Sequence, residues 1–316
     1  MALALVGCSA PQTRALKAEP SVLSASTEIL ATPFFPQTRY HCGPAALATV
    51  LKFRDIDVLP DDLVEEVYLP GRKGSLQTEM IAAARGRGML AYPLDDRLHA
   101  LLREIDAGNP VLVMQNLGLD WWPQWHYAVA IGYDMDAGHI VLRSGTRERH
   151  VLALSTFERT WTRAGRWALV VASPGTVPET ADLKVFLKTA LDFERTDQLP
   201  QARRAYAAAA VRWPDSAPTQ LALGNAAYRL GALRDALTAF EKAVALQPRN
   251  ASAWNNLAWS LHASGCPDDA RRALRCAVAL QPQDPEINRS WKELGEVAAP
   301  PASDAGHCSV ARCPIQ

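Results

Sequence analysis

The feature that most constrains the fold is a 34-residue repeat in the second half of the chain. Residues 217–250 and 251–284 align without gaps, and a weaker unit ends at Pro214. Small or apolar residues recur at matching positions of the two full units: Ala236 and Ala270, Phe240 and Leu274, Ala243 and Ala277. A unit of this length forms a pair of helices that cannot bury its apolar face alone, so neighbouring units must stack. The sequence therefore predicts an all-α solenoid.

The period and the small residues resemble the tetratricopeptide repeat. The predicted repeat domain spans residues 183–298, and PEINRSWKELGEV (285–297) resembles the capping helix that such stacks need. The resemblance implies a concave, helix-lined surface that binds a segment of a protein partner. The alternative is a helical stack that only stabilises the preceding domain.

Residues 33–173 show a mixed pattern. Helical periodicity covers residues 42–54, 76–88 and 96–108. After Pro110 the apolar residues alternate with period two, and the predicted strands are PVLVMQ (110–115), HYAVAIGYD (126–134), HIVLRS (139–144), RHVLAL (149–154) and RWALVVAS (166–173). Helices followed by antiparallel strands indicate an α+β domain. Residues 174–182 contain the proline and glycine of a linker to the repeats.

The stretch RYHCGPAALATVL (39–51) places Cys42 just before the first turn of a helix. A nucleophilic cysteine reacts as the thiolate, and the partial positive charge of a helix N-terminus lowers the pKa of the thiol. Pro44 is tolerated in a first turn, and Gly43 leaves room for a substrate carbonyl beside the sulfur. We therefore expect the pKa of Cys42 to lie below that of a free thiol. Considered alone, Cys42 is better interpreted as a core cysteine that caps a buried helix.

Two distant residues favour a catalytic interpretation. Gln37, five residues upstream of Cys42, can direct its amide at the point faced by the Cys42 backbone N–H, and two such donors form an oxyanion hole. His126 stands at the start of a predicted strand, where the base of a Cys–His pair is usually found. Of the seven histidines it is the best candidate, because the others lie beside the nucleophile, in helices, in the tail or at strand starts without a partner pattern.

These residues belong to a longer pattern, which consists of Gln37, Tyr-x-Cys-Gly-Pro-Ala (40–45), AARGRG (83–88), GNPVLV (108–113) and His-Tyr-x-Val (126–129). The pattern resembles the papain-like cysteine peptidases of the bacteriocin-processing type. The resemblance implies an α+β papain-like domain that hydrolyses a peptide bond through a thioester acyl-enzyme. It also implies that Cys42 is the nucleophile, His126 the general base and acid, and Gln37 the oxyanion donor.

The third member of the site departs from that family, which usually carries Asp or Asn after the strand that follows the histidine. Ser144 aligns best with this position and can accept a hydrogen bond from the imidazole, but it supplies no charge. A low intrinsic activity is therefore expected. The alternatives are a cysteine acyltransferase that passes the acyl group to an amine, and a non-catalytic scaffold whose repeats are the working part. Trp121, Trp122 and Trp125 stand beside His126 and either wall a substrate cleft or simply pack.

The N-terminus carries a separate signal. Leu5-Val6-Gly7-Cys8 resembles the lipobox of bacterial lipoproteins, which implies cleavage before Cys8, its lipidation, and a stable anchor of two acyl chains. The positive n-region of a signal peptide is missing, so the alternative to a lipoprotein is a flexible N-terminal tail of a cytosolic protein. Ser9, in place of a retention aspartate, points to the outer membrane. On this interpretation residues 1–32 are a signal remnant and tether, and the protein faces the periplasm from its lipid anchor.

The composition limits the kinds of partner and cofactor that we expect the protein to bind. Thirty-three basic and 33 acidic residues cancel, so no net charge directs the chain to nucleic acid or to an anionic membrane. We expect membrane contact through the lipid anchor only. The six cysteines form no zinc-binding pattern, and no metal or cofactor is predicted. Among them, Cys308 and Cys313 are the pair expected to form a disulfide, in a C-terminal tail (299–316) that is predicted to be disordered.

Overall fold

A computed structural model describes residues 10–18, 23–36, 41–72, 74–296 and 312–314 of the chain. The chain divides into two compact units, residues 1–189 and 190–316. Over the described ranges, none of the helices combines the length and the apolar character that crossing a bilayer requires.

The first unit is an α+β domain. Its helices are α1 (Pro11–Ala18), α2 (Cys42–Phe53), α3 (Asp61–Val67), α4 (Gln77–Gly86), α5 (Leu98–Asp106), α6 (Leu154–Arg163) and the first part of α7 (Leu183–Arg195). Its strands are β1 (Ser26–Glu28), β2 (Tyr68–Leu69), β3 (Gly74–Ser75), β4 (Leu90–Pro93), β5 (Val111–Asn116), β6 (Trp125–Asp134), β7 (His139–Ser144), β8 (Arg147–Ala153) and β9 (Ala168–Ala172).

Seven of these strands, within the residues that are described, form one antiparallel sheet. Its order is β4-β9-β5-β6-β7-β8, and β1 pairs with the second half of β6. Strands β2 and β3 form a separate hairpin. Strand β6 is central to the site, because its first residues pair with β5, where His126 lies opposite Gln115. Irregularities in the β6–β7 and β7–β8 ladders shift the register near the end of β7.

The two faces of the sheet carry different helices. Helices α2, α3 and α4 share an apolar core with alternate residues of β6, including Tyr127 and Val129. Leu47 and Leu51 of α2 are fully buried there, and burial of each such side chain contributes about 1.5–3 kcal/mol. The opposite face takes α6, as Gln115 of β5 donates a 2.6 Å hydrogen bond to Thr160. This core fixes α2 against β6.

The predicted α+β class is confirmed, and the three predicted helices agree with α2, α4 and α5 within two residues. Helix α6 was not predicted from the sequence. Its apolar face is narrow, consisting of Leu154, Phe157 and Trp161, and its buried positions also include the polar Glu158 and Thr160. Leu154, Phe157 and Trp161 stand at the helical spacing i, i+3 and i+7, so the sequence carried a helical signal here that the strand assignment of residues 149–154 overlooked.

The N-terminal stretch, predicted as an aperiodic tether, contains α1 and β1. The buried carboxylate of Glu158 in α6 accepts hydrogen bonds from the backbone N–H groups of Gln12, at 3.0 Å, and Thr13, at 2.8 Å. A carboxylate beside the first N–H groups of a helix satisfies and stabilises that end. The partner is distant in sequence, so the local pattern of residues 11–18 could not indicate it.

The end of the predicted linker is also bound to the first unit. Glu104 of α5 is fully buried, and its carboxylate accepts hydrogen bonds of 2.7 Å from both the backbone N–H and the hydroxyl of Thr180. The same carboxylate accepts from Asn109, at 2.7 Å. The division between the two units falls after Thr189, inside α7.

The second unit is helical. It contains the end of α7 followed by α8 (Leu199–Arg212), α9 (Ala217–Arg229), α10 (Leu233–Leu246), α11 (Ala251–Ala263), α12 (Pro267–Leu280) and α13 (Pro285–Glu296). The small residues that recur in the repeats are buried, as predicted. Gly224 allows α9 to approach α10, because a Cβ at this position would lie 2.5 Å from the Phe240 ring. Helix α13 is the predicted capping helix.

A disulfide joins Cys276 of α12 to Cys313. The predicted bridge between Cys308 and Cys313 is therefore wrong, and Cys266 is also disulfide-bonded. Sequence proximity suggested the wrong partner because the described tail residues 312–314 return to the face of α12. Most of the tail predicted to be disordered lies outside the described residues.

Candidate active site

Helix α2 presents Cys42 as its first residue. The residues that follow it, Gly43 to Leu51, are buried against the sheet, so the start of the helix is held firmly. The backbone N–H groups of Tyr127 in β6, of Gly43 and of Cys42 itself lie where they favour the thiolate of Cys42. The first of these groups is informative, because Tyr127 directly follows His126. Among the described residues Cys42 is the free cysteine, and it is partly buried.

The environment of the thiol opposes its ionisation. Burial raises the pKa of Cys42 above its ordinary value, and the hydrogen bonds from Tyr127, Gly43 and its own N–H lower it by less. The expectation of a lowered pKa is therefore wrong for this structure. The helix N-terminus acts in the predicted direction, but desolvation outweighs it.

His126 stands at the start of β6 and contacts Ser144 at the end of β7. The distance from His126 Nε2 to Ser144 Oγ is 2.8 Å, so the structure brings together the two residues that the resemblance aligned. Strands β6 and β7 are paired, and this pairing carries Ser144 to the ring. With Nε2 occupied by the hydroxyl, Nδ1 is the ring nitrogen left for proton transfer with a thiol.

The histidine is held neutral. Burial, followed by the charge of His150, lowers the pKa of His126 to about 4. Arg147 lies beside that second histidine, with Nη1 3.2 Å from His150 Nδ1. Asp134, the last residue of β6, lies opposite His139 of β7, at the other end of the strand from His126. Burial and the neighbouring His150 therefore disfavour an imidazolium, and the hydrogen-bond partner of the ring is an uncharged hydroxyl.

The thiol is linked to the histidine strand through the backbone. The Tyr127 N–H that favours the Cys42 thiolate belongs to the residue directly after His126 in β6. In the part of the chain that the structure describes, no hydrogen bond joins the Cys42 sulfur to the His126 ring. The resting site thus consists of a neutral thiol beside a neutral imidazole. Gln37 and Cys8 lie outside the described residues, so their predicted roles stay predictions.

The β2–β3 hairpin contacts the residues on either side of Cys42, His41 and Gly43, and this contact was not predicted from the sequence. The Tyr68 ring lies edge-on to His41, with centroids 5.2 Å apart. Ser75 packs against Gly43, where a Cβ would lie 2.2 Å from the Ser75 hydroxyl oxygen. The Tyr127 hydroxyl donates to the Ser75 carbonyl, at 3.2 Å. The small residue at position 43 therefore makes room for the β2–β3 hairpin. From the sequence, it was expected to make room for a substrate carbonyl.

The tryptophans beside His126 do not pack in the core. Trp121, Trp122 and Trp125 are exposed; the first two belong to the turn between β5 and β6, and Trp125 is the first residue of β6. The alternative interpretation, in which these tryptophans are packing residues of the core, is therefore wrong for all three side chains.

The repeat unit has its own concave site. A groove of about 270 Å³ is lined by residues of α7, α9, α10 and α11, namely Glu194, Asn225, Tyr228, Arg229, Phe240, Asn256 and Trp259. The amides of Asn256 and Asn225 are joined by a 2.8 Å hydrogen bond. Paired amides and half-buried aromatic rings are groups that can bind a peptide backbone and its side chains.

Comparison with protein families agrees with this division. Residues 29–169 match the family described as "Peptidase_C39 like family", and residues 221–285 match the tetratricopeptide repeat. The protein therefore has an α+β C39-like peptidase domain, built on an antiparallel sheet, followed by a helical tetratricopeptide repeat region.

Three solved structures illustrate the similarity. A putative C39-like peptidase from Bacillus anthracis is 18% identical, with coverage of 48% of this chain and 98% of that one and a TM-score of 0.40. The peptidase domain of Streptococcus ComA, a bi-functional ABC transporter involved in a quorum sensing pathway, is 19% identical, with coverage of 45% and 98% and a TM-score of 0.37. A Thermobaculum terrenum O-GlcNAc transferase is 28% identical, with coverage of 38% and 22% and a TM-score of 0.34. None of the curated proteins matches the chain.

Proposed function

We propose that the protein is a cysteine peptidase that hydrolyses a peptide bond through a Cys42–His126 acyl-enzyme. The observation that carries the proposal is the position of the Cys42 sulfur, at the N-terminus of α2 and against the Tyr127 N–H, beside a histidine whose far side contacts Ser144. His126 Nδ1 would remove the thiol proton as the sulfur attacks the carbonyl, and would return it to the leaving amine. Water would then hydrolyse the thioester.

The oxyanion formed in this attack would be stabilised by the Cys42 backbone N–H and by Gln37. Because the resting thiol and imidazole are both neutral, the proton would be transferred only when a substrate brings the groups together. The site would therefore act by general base catalysis, and its intrinsic rate would be low.

The test is hydrolysis of a mixture of peptides by the full chain, with the products identified by mass spectrometry. We expect Cys42→Ala to lower the rate by about 10⁴-fold or more, and a substrate-derived thioester to be trapped on Cys42 of the unmodified protein. Thr49→Ser, on the same helix, is a matched control. Products that carry an added amine would indicate acyl transfer, and equal rates for Cys42→Ala and the unmodified chain would exclude the proposed chemistry.

A non-catalytic scaffold is the second candidate. It is favoured by the raised pKa of Cys42 and by the lowered pKa of His126, which together leave no resting ion pair. In that case the repeats would be the working part, and the groove beside Asn225 and Asn256 would bind an extended segment of a protein partner. Loss of partner binding in Asn256→Ala, together with an unreactive Cys42, would support this alternative.

We further propose that the protein is anchored by a diacylated Cys8 and faces the periplasm, at the outer membrane. Support comes from the Cys276–Cys313 bridge and the disulfide-bonded Cys266, because structural disulfides persist in oxidising compartments. Radiolabelled palmitate should be incorporated by the unmodified chain and not by Cys8→Ser. Label that is retained in the variant would exclude this anchor.

A further inference from the structure

The turn between β5 and β6 exposes a concentrated group of large apolar side chains. Residues 117–125, which are this turn and the first residue of β6, are called here the tryptophan hairpin; five of their large apolar side chains are exposed, and Trp121 is 78% exposed. The five are Leu117, Leu119, Trp121, Trp122 and Trp125. Asp120 is the single charged residue in the segment. Scattered exposed apolar residues are normal, but a contiguous group marks a surface that another body covers.

The tryptophan hairpin is an ordered projection. Leu117 donates to the Gln124 carbonyl at 2.9 Å, and Leu119 and Trp122 exchange two backbone hydrogen bonds of 3.0 and 3.2 Å. At its base the buried Asn116 accepts hydrogen bonds from the backbone N–H groups of Gly118 and Gln124, at 3.0 and 2.9 Å. The apolar side chains are therefore held outward by a fixed backbone, so binding costs little ordering entropy.

The hairpin and the first described residues lie along the same helix. Arg163 at the end of α6 donates to the Asn116 carbonyl, at 2.9 Å. Glu158, earlier in α6, binds the backbone of Gln12 and Thr13. Five residues of helix rise by about 7.5 Å, so the base of the hairpin and the start of α1 are both bound by one short stretch of α6.

Ala10, just before α1, is buried, and a chain of two residues, such as that between Cys8 and Ala10, spans at most about 7 Å. An acyl anchor on Cys8 would therefore hold the start of α1, and with it α6 and the base of the hairpin, close to a bilayer. The following inference rests on that part of the proposed function.

We propose that the tryptophan hairpin inserts into the headgroup region of a lipid bilayer. Tryptophan prefers this region, because its ring buries apolar area while its N–H remains in contact with polar groups. Trp121 and Trp122 sit at the tip of a projecting turn, a shape that suits entry into an interface. From the sequence, the lipid anchor was expected to be the only membrane attachment. The tryptophan hairpin would add a second attachment, made by protein side chains.

The test uses the full chain carrying Cys8→Ser, so that acyl chains cannot contribute. Flotation with vesicles of phosphatidylethanolamine and phosphatidylglycerol measures partitioning, and brominated lipids should quench tryptophan emission if the rings enter the interface. We expect the double variant Trp121→Ser, Trp122→Ser to lower partitioning by about tenfold or more. Trp291→Ser removes another exposed tryptophan, from α13, and should leave partitioning unchanged.

Two results would overturn the proposal: absence of flotation by the Cys8→Ser chain, or equal flotation by the double variant. Impaired peptide hydrolysis by the double variant in vesicle-free buffer, with unchanged flotation, would identify the hairpin as a peptide-docking surface. Because both substitutions are at exposed positions, circular dichroism should confirm that the fold is retained. Flotation does not require catalysis, so an inactive site would not affect the outcome.

Discussion

The cysteine side and the histidine side of the candidate site are constructed differently. Cys42 begins a helix whose next residues are buried, and backbone N–H groups surround its sulfur. His126 contacts a neutral hydroxyl and lies near the basic His150. The first environment offers hydrogen bonds to a thiolate, whereas the second discourages the imidazolium that would accompany it. The N-terminus of a helix alone therefore does not produce an activated thiol, because burial outweighs it.

The largest expected effect concerns the ionisation of Cys42. Because burial raises its pKa, the alkylation rate with iodoacetamide should increase about tenfold per pH unit across the neutral range, or about a hundredfold over two units. Mass spectrometry of the alkylated Cys42 peptide at each pH gives the rate. A plateau below the range of a free thiol would mean that the helix terminus dominates after all, and the contrast between the two sides would disappear.

The next effect is the dependence of folding stability on His126. The folded pKa of about 4 lies below the unfolded value of 6.5, so the unfolded chain binds more protons between these values. Stability from this group is complete above pH 6.5 and is lost as the pH falls toward 4, by up to about 3 kcal/mol. Urea unfolding of the first unit should show this loss, and His126→Gln should reduce it.

His262→Gln, in the repeat unit, is the matched control for that measurement and should leave the pH dependence of the first unit unchanged. An identical slope in His126→Gln and the unmodified chain would show that the ring is not held neutral by burial. The histidine side would then resemble the cysteine side more closely than the structure indicates.

The contact of Gly43 with Ser75 gives a smaller effect. Gly43→Ala places a methyl group 2.2 Å from the hydroxyl oxygen, so the hairpin must move and the free energy of unfolding should fall by about 1–3 kcal/mol. Ser75→Gly in the same chain should recover most of this loss. Additive losses in the double variant would contradict direct contact, because residues that touch show coupling.

Local periodicity explains what the sequence could predict. The repeats bury their matching residues as expected because each apolar position recurs within one helical unit, as Ala236 and Ala270 illustrate. The contact between His126 and Ser144 was also accessible, since it follows from two strands with a short turn between them. Residues that are close together in the sequence therefore identified the two strand ends, at His126 and Ser144, that form one side of the site.

Contacts that are distant in sequence explain what could not be predicted. The raised pKa of Cys42 depends on how completely the first unit covers it, and the N-terminus of α1 depends on Glu158. Cys313 bonds to Cys276 because the tail returns to α12, which no spacing of cysteines reveals. Burial of a thiol and choice of a disulfide partner are properties of the assembled core, so they appear only with the tertiary structure.

The smallest expected effect addresses the missing carboxylate directly. Ser144→Asp would place a negative charge beside His126 Nε2, where the structure has a hydroxyl at 2.8 Å. The charge should raise the pKa of His126 and stabilise the imidazolium, so the rates of alkylation and peptide hydrolysis at neutral pH should increase by about tenfold. Ser144→Asn keeps a hydrogen-bonding group of similar size without the charge, and should give little gain. If Asp and Asn variants had equal rates, the charge on the histidine side would not limit the chemistry, and the burial of Cys42 would be the remaining cause of a slow site.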